Sequence, residues 1–400
     1  MCLGSLVVCN RSGERVVMNV PASLFADTLP PRDRSLLDTL SALSRSGDRA
    51  THGMPGAFYT SAHFAELERQ RVFRRTWVCI GHVGEIPKNG DYFTTEMVGE
   101  PLLVQRDAQG EVHVLANVCR HRGNLVAVGR GNARVHACAY HAWSYELDGK
   151  LKRAPLMQAC KDLDAARCAL PKINSTIWQN FIFVNIDGNA APLSEALRPL
   201  EAHIHNYHNE DRELYHFQEE VWRTNWKCLA ENFMEGYHLN ATHPRTLRPV
   251  TPTELCEYVP GNGYFSAYRA HYTPESPQRT PFHEDLTQGE RRSSFLFSVF
   301  PNLVVTYMPH QTIYLCLRPA ATDQVALKWG IAGHERAPGQ DSIERYVAFA
   351  NSFNAEDRTK LETLQKGLGS TFYSPGPLAA ENLEGTLRDF YSFMAYRICD

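Results

Sequence analysis

No apolar run in these 400 residues reaches membrane-span length, and the N-terminus lacks a basic stretch followed by an apolar core, so neither a transmembrane anchor nor an export signal is expected. An excess of one charge is also missing. Lys and Arg number 41 against 44 Asp and Glu, and no segment gathers the cations on one face, which argues against a nucleic-acid partner. The longest basic run, Arg69 to Arg75, is interrupted by Val72 and Phe73 and reads as the solvated side of a helix. No G-x-G-x-x-G occurs between a strand and a helix, so a dinucleotide-binding unit is not expected. The 11 cysteines are odd in number and scattered, a pattern of reduced thiols in a soluble, cytoplasmic chain. Cys2, Cys9, Cys79, Cys160, Cys168, Cys228, Cys256, Cys316 and Cys399 read mainly as small buried hydrophobes.

The other two cysteines stand beside histidines. Cys119-Arg120-His121 is followed, after 16 residues, by Cys138-Ala139-Tyr140-His141. Two thiolates and two imidazoles in paired short loops suit a structural zinc or a Rieske [2Fe–2S] centre, in which two histidines replace two cysteines on one iron. The single-residue gap in the first pair favours the Rieske centre, because zinc motifs use wider spacings. Gly123 and Trp143, just after each pair, suit loops that approach and shield the cluster.

A second concentration of ligands lies in Glu231-Asn232-Phe233-Met234-Glu235-Gly236-Tyr237-His238-Leu239-Asn240-Ala241-Thr242-His243-Pro244. A helix from Asn225 to Gly236 would align Glu231, Glu235 and His238 on one face. Pro244 disfavours helical geometry at His243, so the helix should end between the histidines and fold His243 back beside His238. Two neutral imidazoles then need one carboxylate from elsewhere to form the two-histidine, one-carboxylate triad of non-haem Fe(II) oxygenases. Asp341, Glu344, Glu356, Asp357 and Glu362 are candidates, and the residues alone do not choose among them.

Periodicity outlines the rest. Ser35 to Ser44 reads as a short helix within an N-terminal tail or inter-subunit arm, residues 1–53. Ser61 caps a helix with apolar residues at Phe64, Leu67, Val72 and Phe73. Short alternating runs from Tyr92 to Leu147, with Ile182 to Ile186 closing them, indicate a small all-β domain within residues 54–190. Residues 191–400 combine a connector helix (Leu193 to His205), strands between Tyr215 and Ala332, and helices over Asp341 to Asn354 and Arg358 to Gly367, giving an α+β class.

The two clusters in this order, together with Trp77-Val78-Cys79-Ile80-Gly81-His82, Tyr140-His141-Ala142-Trp143-Ser144-Tyr145, Asn225-Trp226-Lys227 and Phe300-Pro301-Asn302-Leu303, resemble the terminal oxygenase (alpha) component of the Rieske non-haem iron oxygenases. The resemblance runs from about Pro55 to the C-terminus. It implies a [2Fe–2S] cluster on Cys119, His121, Cys138 and His141, and mononuclear Fe(II) on His238, His243 and Asp357 within a helix-grip domain. It also implies a homotrimer, with O₂ and a small organic substrate, fed by a flavin/ferredoxin-type NAD(P)H reductase. The family usually has aspartate where Glu235 stands, three residues before the first histidine, and that residue is thought to link a neighbour's Rieske histidine to the iron. Glutamate there resembles the carnitine, glycine betaine and stachydrine branch. The implied reaction is therefore hydroxylation of a quaternary ammonium N-methyl with loss of formaldehyde, the alternative being hydroxylation or dihydroxylation of an aromatic acid. A cation without N–H donors is best held by aromatic faces, and Tyr264, Phe265, Tyr268, Tyr272, Phe295, Phe297, Phe300, Tyr307 and Tyr314 lie on or near the expected pocket strands. Arg269, Arg318 and His310 are candidate partners for a substrate carboxylate.

Overall fold

The computed structural model of the chain describes residues 3–9, 15–21, 29–278, 280–334 and 338–399; the remainder of the expected N-terminal segment lies outside the described residues. Among the described residues no helix is long and apolar enough to cross a membrane. Leu3–Cys9 and Arg15–Pro21 pair as an antiparallel hairpin. Pro31–Ser46 is a helix longer than expected, and its Leu36 and Leu40 are fully buried against the core. The Ser61 cap is present, its hydroxyl accepting from the Phe64 backbone N–H at 3.1 Å.

The first β region holds three small antiparallel sheets. Four strands run in the order Val112–Ala116, Glu100–Arg106, Asp91–Met97, Arg130–Asn132. A second sheet joins Asn174–Trp178, Phe181–Asn185 and Val78–His82, so the expected closing strand does return to the start of the region. The third and smallest, Leu151–Arg153, Ser144–Tyr145 and His136–Ala137, flanks the second Cys/His loop.

Beyond Leu193–Ile204 the chain builds a seven-stranded antiparallel sheet in the order Glu213–Trp222, Gln324–Gly333, Gln311–Ala321, Leu303–Tyr307, Ser293–Val299, Phe265–His271, Cys256–Val259. Strand side chains alternate between faces, and this decides the whole arrangement. Phe265, Phe295, Phe297, Tyr307 and Tyr314 turn to one face and pack with Leu193, Leu197, Leu200 and Ile204 of the connector helix. Val304, Ile313, Leu315, Leu327 and Trp329 turn to the other, against the helices Trp226–Met234, Gln340–Leu368 and Glu381–Cys399. That second face carries the site.

Two expectations need correction. The expected pair of helices after Asp341 is one continuous helix, because Ala355-Glu356-Asp357 contains no Gly or Pro to interrupt it. The helix begun at Trp226 ends at Met234 rather than between the histidines, with Glu235 extended at φ −127°, ψ 156°. At Gly236 the chain passes so close to Cys256 that a Cβ would collide with its sulfur, so only glycine fits this position. Glu231 is consequently not on a face with Glu235 and His238. It accepts a hydrogen bond from the Tyr59 hydroxyl at 3.0 Å, on the buried side of the helix.

Candidate functional site

His238 and His243 bracket the four-residue turn Leu239–Thr242, which folds the second ring back beside the first as the sequence suggested, with centroids 5.2 Å apart. Asp357, from the middle of the long helix, reaches both. Its Oδ1 lies 3.0 Å from Nε2 of His243 and 3.7 Å from Nε2 of His238. The opposite edge of each ring is held by a glutamate: Nδ1 of His238 lies 2.7 Å from Glu235 Oε1, and Nδ1 of His243 lies 2.8 Å from Glu356 Oε2. A carboxylate on Nδ1 fixes the proton there and leaves the Nε2 lone pair facing Asp357. Glu356 also accepts from the Thr246 hydroxyl at 2.6 Å.

The residues fit a metal ion by two tests. Nε2 of His243 and Oδ1 of Asp357 are buried without a hydrogen-bond partner although 3.0 Å apart, because both are aimed at a shared space rather than at each other. Burial disfavours a charge on His238, yet Glu235 and then Asp357 outweigh it and raise its pKa, so the pocket attracts positive charge. Of the remaining candidate carboxylates, Glu356 holds His243 from behind, and Glu362 pairs with Arg358 at 2.9 Å. The holding role of Glu356 was not read from the sequence; its adjacency to Asp357 was the available signal.

A cavity of about 100 Å³ adjoins the trio. Of the nine aromatic residues expected near it only Tyr268 contributes, since alternation turns most of the others to the opposite face. Phe233, Phe349 and Phe353 supply the other rings, and they come from helices rather than strands. Arg269, Arg318 and His310 do not line it. Arg269 instead donates to Ser293 at 3.1 Å and covers Phe295 on the far face. Among the described lining residues there is no Arg or Lys.

The Cys/His loops meet at the tip of the β region. The rings of His121 and His141 stand edge to face at 4.5 Å, and His121 stacks on Trp143 at 4.9 Å. Burial works against ionisation of Cys138, but the backbone N–H of Tyr140, the Asn124 amide and the Cys119 thiol outweigh it and lower its pKa, favouring the thiolate that ligation needs. The Tyr145 hydroxyl lies 3.2 Å from Cys119 Sγ and accepts from the Arg120 N–H at 3.0 Å. Gly123 takes φ 78°, a left-handed value that turns the first loop. Cys79, Cys119, Cys138, Cys228, Cys256 and Cys316 are buried thiols outside any disulfide, whereas Cys160, expected to be buried, is exposed.

Residues 76–171 match the Rieske [2Fe-2S] domain, and residues 201–399 match the ring hydroxylating alpha subunit (catalytic domain). The glycine betaine monooxygenase oxygenase subunit of Pseudomonas aeruginosa is 27% identical over 416 residues, covering 94% of this chain and 95% of that protein. Among solved structures, the quaternary ammonium Rieske monooxygenase CntA superposes with a TM-score of 0.77 at 22% identity, over 92% of this chain and 98% of that one. Naphthalene 1,2-dioxygenase from Rhodococcus sp. does so with a TM-score of 0.79 at 20% identity, over 92% of this chain and 99% of that one, so the fold alone does not select a substrate. With a Rieske [2Fe–2S] domain followed by the catalytic domain that binds mononuclear iron, the chain belongs to the Rieske non-haem iron oxygenases as a terminal oxygenase alpha component.

Proposed function

We propose that Cys119, His121, Cys138 and His141 hold the cluster, that His238, His243 and Asp357 hold the mononuclear iron, and that the enzyme hydroxylates an N-methyl of a small quaternary ammonium compound, which then loses formaldehyde. The observation that carries this reading is the convergence of two Nε2 atoms and one carboxylate oxygen on a buried point beside an aromatic cavity. When bound, the cluster supplies electrons singly and the mononuclear iron supplies the position at which dioxygen is reduced.

The protein's own groups do the rest. Glu235 and Glu356 keep the Nδ1 protons of His238 and His243 in place, so both rings present a lone pair to the same point. Phe233, Tyr268, Phe349 and Phe353 offer ring faces to a cation that has no N–H to donate. The absence of Arg and Lys from the described lining suits a cationic head group. Glu235 on the iron side, and the relatives' names, support the quaternary ammonium class over the aromatic acids.

Electrons arrive from a flavin/ferredoxin-type NAD(P)H reductase. The assembly is a homotrimer in which the exposed tip around His141, with Tyr140 and Val128 at its surface, meets the Glu235 side of a neighbour. Glu235 Oε1 is taken by His238, while Oε2 receives the backbone N–H groups of Tyr237 and His238. Each carboxylate oxygen accepts two hydrogen bonds, so the position left for the neighbour's histidine is the second lone pair of Oε1.

A substrate panel coupled to a surrogate reductase tests the reading. Quaternary ammonium compounds should be consumed with matching formaldehyde; turnover of aromatic acids with no formaldehyde from any quaternary ammonium compound would overturn it.

A further inference from the structure

Away from both iron stations, a third group of metal-binding side chains gathers. His208 follows the turn after the connector helix, and His283 and Asp285 lie in the loop between the strands Phe265–His271 and Ser293–Val299. One oxygen of Asp285 lies 2.7 Å from Nε2 of His208 and 3.6 Å from Nδ1 of His283. The two imidazoles stack with centroids 3.8 Å apart, and one donor atom from each of the three residues falls within 4.8 Å of the others. His208 holds a left-handed backbone, φ 45° and ψ 52°, which residues with a side chain seldom adopt. That turn is fastened from below, where buried Asn209 accepts from the Thr312 hydroxyl at 2.6 Å.

We propose that His208, His283 and Asp285 form a peripheral site for a borderline divalent cation such as zinc, joining the connector turn to the loop before Ser293. Two imidazole nitrogens and a carboxylate oxygen are a donor set that zinc accepts, with water completing the shell. Bonds of about 2.0–2.2 Å hold tetrahedral donors about 3.3–3.5 Å apart. The His283 contact, at 3.6 Å, is close to that spacing, and the His208 contact, at 2.7 Å, opens when the ion replaces the proton shared with Asp285. The side chains are 35% exposed for His208, 30% for His283 and 54% for Asp285, so an ion reaches them without unfolding the loop. His334 stands beside the group, its ring centroid 5.7 Å from that of His283, but its Nε2 receives Arg212 Nε at 3.1 Å and it is not counted as a ligand.

Zinc chloride titrated into iron-loaded enzyme against a chromophoric chelator, with metal analysis after gel filtration, tests the site. Wild type should take up roughly one zinc per chain with its iron content unchanged, and zinc should raise its melting temperature. Asp285→Asn and the double variant His208→Ala/His283→Ala should each lose at least about tenfold in zinc affinity and the thermal shift, while retaining iron and the visible spectrum. Wild type that takes up zinc only by displacing iron, or Asp285→Asn that binds zinc as wild type does, would overturn the proposal.

Discussion

The two iron stations are built in opposite ways. At the tip, the proposed ligand residues come from two neighbouring loops, and His141 is exposed. In the pocket, His243 is fully buried and Asp357 nearly so, and the carboxylate arrives from a helix remote in sequence. The first can be organised locally and exchange electrons at a surface. The second depends on the sheet and three helices packing correctly before its donors meet. Damage at the tip should therefore stay local, whereas changes near the pocket should propagate through the fold.

The largest effect tests that contrast directly. Asp357→Ala should abolish turnover and lower iron by roughly one atom per chain while the cluster absorption persists; metal analysis beside a visible spectrum reads both, and full iron retention would contradict the assignment. Cys138→Ser is the mirror experiment. It should remove colour and labile sulfide but leave roughly one iron per chain, and loss of all iron would show the stations to be interdependent. Smaller effects follow for the glutamates behind the histidines. Glu235→Ala and Glu356→Ala should keep the cluster and lower turnover by about 10–100-fold. For Glu235→Ala both metals should remain, so unimpaired turnover in a steady-state assay would remove its coupling role.

The smallest effect concerns Glu231, one helical turn before the pocket. Burial lifts its carboxyl from 4.5 to about 8, with Tyr59 and Lys227 partly opposing the rise. The folded state thus binds this proton more tightly than the unfolded chain, so the contribution is complete below the ordinary glutamate range and is lost as pH climbs through about 8. Wild type should lose roughly a few degrees of melting temperature between mildly acidic and alkaline pH relative to Glu231→Gln. Parallel melting curves for the two proteins would contradict that.

How much of this was legible follows from the same contrast. The grouping of Cys119, His121, Cys138 and His141, proposed here as the cluster's ligands, was legible from spacing because the two loops lie close in sequence. The turn bringing His243 beside His238 was also readable from Pro244. The helix end was not. Nothing in Glu235-Gly236 announces that Glu235 turns extended or that Gly236 lies against Cys256, on a distant strand. Asp357 could not be separated from Glu356 by residue type, and the structure gives both a place, one on each side of His243. The aromatic lining was legible only in part, for a different reason: most of the nine strand aromatics were expected to be core, and one of them, Tyr268, lines the cavity. Strand positions such as Phe295 and Phe297 were read by residue type without their facing, and the rings that do line the cavity come mainly from helices.

Quantifying iron and labile sulfide in the purified protein tests the central claim most directly. Two separate stations predict roughly three irons and two sulfides per chain, with one iron alone removed by Asp357→Ala. A protein free of labile sulfide, with zinc bound at Cys119 and Cys138, would contradict the account.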